Sequence, residues 1–163
     1  MHIPTLTQIP TNTFAPSPTV IVKKIIKPTP TSTITPTPKP PNISSTTHGQ
    51  IFAAINSYRQ EHGLLQISQN TTLCSIAQTR AKQQSESGHL NHDGFDAIAH
   101  SQTEFHHIAE ILQWFPEQKD ATYLVYTGWD GSAPHRSVML DSSWTHGCAG
   151  VSGYYSVFIF ARE

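Results

Sequence analysis

An α+β domain behind an extended linker is what this 163-residue chain encodes. Three observations lead there. Ten of its 12 prolines lie at or before Pro41, and all nine glycines lie beyond it. From His48 onward, apolar residues first recur at helical spacing. The region then closes on residues that alternate like a strand, and helices followed by strands is the α+β pattern. The boundary falls between residues 47 and 48, with 1–47 a disordered Pro/Thr-rich linker or stalk and 48–163 the folded domain.

The linker cannot bury a core. Thr29-Pro30, Thr35-Pro36 and Thr37-Pro38 remove backbone donors and hold the chain extended. Such a segment tends to polyproline II and acts as a spacer, about 3 Å per residue. Thr/Pro-rich stalks of this kind occur outside cells, although an ordinary disordered tail reads the same way. The one apolar patch, residues 20–26, is too short for a bilayer and carries two lysines. Met1–Pro10 lacks the charged start and apolar run of a secretory signal. A membrane tether is therefore expected only through a segment absent from this sequence. Residues 1–47 hold four lysines and no acid, whereas 48–163 hold six basic and eleven acidic residues. That balance excludes a strongly basic nucleic-acid binder.

The domain's elements follow in order. Ile51, Ala54, Ile55 and Tyr58 define a first helix, with Gly63 at its C-terminal end. Asn70 caps a second, whose face is Leu73, Ile76, Ala77, Arg80 and Ala81 and which Gly88 closes. Ala121, Leu124, Val125 and Trp129 suggest a third. Pro134 opens a short fourth through Val138 and Leu140. Two strands, 144–151 and 154–161, end the domain around a tight turn at Gly150–Gly153. Both faces of the last strand are largely apolar, so it should be central and covered on both sides.

Histidine carries the candidate chemistry. Nine of the ten lie at or beyond His48, and any single one is most simply an exposed polar residue. His92, just past a helix end, and His135, at a helix start, have more telling surroundings. Between them Glu110 is a lone carboxylate in the apolar run 108–112, and a buried charge there must be paired or coordinated. Motifs for phosphate-cradling loops, zinc proteases, serine hydrolases and CxxC redox sites are all missing. Asp93 and Asp130 are the candidate general bases. Ser132, three residues before His135, reads as a nucleophile or, more simply, as a helix N-cap. Cys74 and Cys148 read either as two small buried thiols or as one disulfide closing a loop of about 75 residues.

The ordered set Asn56-x-Tyr58-Arg59, Asn70-x2-Leu73-x3-Ala77-x3-Ala81, His92-x-Gly-Phe, Glu110, Trp129-x2-Ser132-x-Pro134-His135-Arg136 and Gly147-x2-Gly150-Val151 resembles the CAP superfamily. That superfamily comprises cysteine-rich secretory proteins, antigen 5 and pathogenesis-related class 1 proteins, and the bacterial SCP branch is the nearer match. The resemblance implies a three-layer α-β-α sandwich, usually extracellular or in the cell envelope. It also implies a cleft whose histidines and carboxylates bind zinc or another divalent metal. Carried over, the metal ligands fall on His92, Glu110 and His135, and Asp93, Trp129 and Ser132 line the ligand site. Ser132 stands where eukaryotic members place a second glutamate. Three functions are in view. One is a monomeric, non-catalytic module binding a metal, small molecule, lipid or surface ligand. Another is a metal-dependent hydrolase built on His92, Glu110 and His135. The third is a structural surface domain without a ligand.

Overall fold

Thr47 starts helix α1 (His48–Glu61) with a capping box. Its hydroxyl accepts from the Gln50 backbone N–H, and the Gln50 side chain accepts from the Thr47 N–H. The computed structural model describes residues 46–163. The expected linker therefore lies outside the described residues, apart from Thr46 and Thr47. A two-residue strand β1 (Ser68–Gln69) precedes α2 (Thr71–Ser87). Asn70 caps α2 by accepting from Thr72 and Leu73, and Gly88 ends it in the left-handed conformation at φ 71°.

Next come α3 (Phe95–Ser101) and β2 (His107–Trp114). The short α4 (Ala121–Tyr123) runs straight into a π-helical turn, Leu124–Trp129. Then follow α5 (Ala133–Met139), β3 (His146–Ser152) and β4 (Tyr155–Arg162).

The sheet order is β1-β3-β4-β2. As the two apolar faces require, β4 is interior, antiparallel to β2 on one side and β3 on the other. Its alternation divides the core. Phe158 and Phe160 pack with Ile51, Ile55, Tyr58, Val125 and Trp129 on one face. Val157, Ile159 and Ala161 pack with Leu73, Ala77 and Ala81 on the other. Helices thus cover both faces of one sheet, a three-layer α-β-α arrangement.

The second face is locked. A Cβ on Gly150 would lie 2.1 Å from the Ala77 carbonyl oxygen, so the backbones of α2 and β3 touch there. Two residues away in β3, Cys148 is joined to Cys74 of α2 by a disulfide. Of the two readings of this pair, the structure adopts the bridge.

Three elements were not foreseen. β1 is too short to leave a pattern, and α3 shows only one buried residue, Phe95. β2 reads as an apolar run without alternation because its middle residues, 110–113, are all buried. The expected strand start at Trp144 moves to His146, since Trp144 instead donates its indole N–H to the Val138 carbonyl.

Two stability predictions follow from the α2–β3 contact. Gly150→Ala has only backbone to push against, so it should cost about 3 kcal/mol, read as a lower urea midpoint at unchanged slope. Replacing both cysteines by alanine frees a loop spanning a sequence separation of 74 residues. It should lower stability by about 4 kcal/mol in the loop-entropy account, measured by denaturant unfolding against the oxidised chain.

Candidate functional site

Position 110 of β2 shares the sheet face of Ile108 and Leu112, which belongs to the α2 side of the core. A glutamate there must meet a partner from α2, and it does. The Arg80 Nε–H donates to Glu110 Oε1 at 2.6 Å and an Nη2–H donates to Oε2 at 3.1 Å. The pair is closed to solvent, with side chains 3% and 0% exposed. Bidentate, charge-assisted geometry is what makes such a buried pair tenable.

His92 sits on the loop between Gly88 and Gly94, both in the left-handed region at φ 71° and 78°. The loop is tied to α2 one turn beyond Arg80. Gln84 donates to the Asn91 carbonyl and accepts from the Asn91 N–H, each at 2.8 Å. The His92 ring places Nδ1 2.9 Å from Glu110 Oε2. A carboxylate can only accept, so Nδ1 carries the proton and Nε2 is the ring's free nitrogen. That side chain is 59% exposed, so the outer edge of the network is imidazole.

His135, on α5, is half-buried. Burial pushes its pKa down, and the charge that His92 can carry lowers it further, so the two rings feel each other. Its neighbour Ser132 holds the N-cap position of α5, but its side chain makes no capping hydrogen bond. Asp93 is exposed and contributes its backbone, the carbonyl accepting from Arg80 and the N–H donating to Asn91 Oδ1.

Trp129 does not line the cleft. It is fully buried against Phe158, so its role is core packing rather than ligand contact. Asp130, the other candidate base, is already engaged. It accepts from the Tyr58 hydroxyl and the Arg136 Nε–H, which hold its carboxyl below the usual range and keep it a weak base. The same contact, with burial the larger cause, pushes Tyr58 up to about 12.

The family-type metal set is poorly served here. Oε2 of Glu110 already accepts twice, Oε1 accepts from Arg80, and no edge of the carboxylate reaches solvent. Position 132 offers a hydroxyl rather than a second carboxylate. Among the described residues, no group of three or more His, Cys, Asp or Glu side chains is placed to hold a metal ion. The residues present do not fit a two-histidine, one-carboxylate zinc centre.

Arg80 was legible only as one member of the α2 face. The signal that could have raised it was a guanidinium and Gln84 within a stripe of Leu73, Ala77 and Ala81, facing a lone carboxylate elsewhere. Other histidines gather apart from this site. A cavity of about 480 Å³ is lined by His100, His106 and His107 with Phe95 and Phe105.

Comparison with known proteins agrees with this fold. The model of the cysteine-rich secretory protein family, CAP, matches residues 52–160. An extracellular SCP-domain protein from Bacillus anthracis is similar at 20% identity and a TM-score of 0.63, over 71% of this chain and 40% of that one. A cysteine-rich secretory protein from Staphylococcus aureus is similar at 21% identity and 0.60, over 69% of this chain and 37% of that one. An outer surface protein from Borrelia burgdorferi is similar at 18% identity and 0.59, over 69% of this chain and 90% of that one. At these identities the likeness is one of fold. The chain spans about two fifths of the length of the first two. Comparison with curated proteins finds no match.

The His135 environment sets a pH dependence. Its folded pKa is depressed below the ordinary histidine value of 6.5, so its stabilising contribution is full above that pH and is lost as pH falls through the depressed value. Proton-detected NMR should find His135 titrating below 6.5, and His92→Ala should move it part of the way back, because burial remains. His135→Asn should flatten the acid side of the stability profile.

Proposed function

The chain belongs to the cysteine-rich secretory protein family, CAP, and from that premise we propose that it is a non-catalytic binding module working outside the cell or in its envelope. The observation that carries this reading is the closed state of Glu110. Catalysis by a metal or a general base needs a carboxylate or base that can reach substrate. Here the buried carboxylate is consumed by Arg80 and His92, and Asp130 is consumed by Tyr58 and Arg136. What faces outward is the exposed imidazole of His92, and half-buried His135 is close enough to feel its charge. Imidazole nitrogens can recognise a small polar ligand by hydrogen bonding.

The buried half of the network also supports a structural role, since Arg80 and Glu110 join α2 to β2. The two readings divide the same constellation by depth. The Cys74–Cys148 bridge supports an oxidising setting. So do the extracellular and outer-surface descriptions printed for the similar bacterial proteins. No described helix is long and apolar enough to cross a membrane.

The test is an assay of the full chain on broad peptide and ester libraries, with and without a chelator. No turnover above the His92→Ala/His135→Ala background is expected. Turnover lost in either single variant would refute the non-catalytic reading. Fractionating the producing cells should place the oxidised chain in the envelope or the medium, and a reduced cytoplasmic pool would refute the location.

A further inference from the structure

We propose that Arg80 is the resident cation of the cleft, occupying at Glu110 the place that a bound metal would take, and that it is the residue positioning both Glu110 and the His92 loop. The guanidinium has five N–H groups, and all five have acceptors. The Nε–H meets Glu110 Oε1, the two on Nη1 meet Gln83 Oε1 and the Asp93 carbonyl, and the two on Nη2 meet Glu110 Oε2 and the Asn91 carbonyl.

That completeness separates Arg80 from the other buried arginine. Arg59 is equally hidden, but it holds backbone carbonyls only, and its Nη2 has no partner. Arg59 is a brace between helices. Arg80 is a saturated centre whose acceptors come from α2, the 91–93 loop and β2, as the ligands of an ion would.

Two consequences follow. A divalent cation entering beside Glu110 meets a fixed positive charge a few ångströms away and a carboxylate with no solvent-facing lone pair. Positioning of His92, which in a metal site falls to the ion, falls here to a side chain that cannot dissociate. Arg80 touches no ligand in this account and acts through Glu110 and the loop.

The full chain, labelled with ¹⁵N, would be titrated with zinc chloride at neutral pH while the Arg80 Nε–H resonance is followed and the heat is measured. That resonance should persist unshifted in excess zinc, and any heat from surface histidines should be the same in Glu110→Gln. Folded Arg80→Met, which uncovers the carboxylate, should bind zinc at least about tenfold more tightly than the natural sequence. Adding Glu110→Gln should abolish that gain. A 1:1 zinc site that shifts or erases the Arg80 resonance overturns the proposal, and so does a folded Arg80→Met with unchanged zinc affinity. Should Arg80→Met fail to fold, the resonance in the unaltered chain decides alone.

Discussion

One buried charge pair organises this domain. Glu110 sits in the middle of β2 on a face otherwise filled with apolar side chains, and its ionised form is made tolerable chiefly by Arg80, with His92 on the outer oxygen. Removing either partner of such a pair strands the other, at a cost of about 3–5 kcal/mol. The pair therefore dictates more than it stabilises. It sets the rotation of α2 against the sheet, because the guanidinium must arrive edge-on to both carboxylate oxygens. It sets the path of the 89–94 loop, because the remaining N–H groups must find carbonyls. It sets the tautomer and the aim of His92.

The sheet supplies the rigidity that this arrangement needs. Contact between Gly150 and Ala77 brings α2 to backbone distance from β3, and the disulfide closes the same interface from Cys74. Arg80 lies six residues further along that helix, within two turns of the bridge. An error in docking α2 would be carried straight to the guanidinium, so the tight interface and the covalent link protect the geometry of the cleft. On the other face the Tyr58–Asp130–Arg136 cluster plays a comparable part, fixing the segment that leads into Ser132 and His135.

How much of this is readable from sequence depends on the reach of each interaction. α1, α2 and β4 bury one regular stripe or two full faces, so their periodicity shows at once. The π-helical turn did not show. Its extra residue is set by Gln113 from β2, whose amide lies against Gly128 and donates to the Leu124 carbonyl. Family likeness put Trp129 in the ligand site, whereas its side chain is fully buried against Phe158. His92, Glu110 and His135 stand out in the sequence by local setting and family likeness. What they do does not, because the partner that changes Glu110 from an available ligand into a buried anion is 30 residues away in the chain.

The central position of β4 also orders the life of the chain in time. Both long neighbours, β2 and β3, pair with it, and it follows every other element of the domain. A chain delivered N-terminus first therefore offers α1, α2 and β2 before the strand that joins them exists. The cysteines, too, wait on Cys148 near the close. Such a polypeptide cannot complete its sheet until its last strand is available, so its long-range pairing comes late.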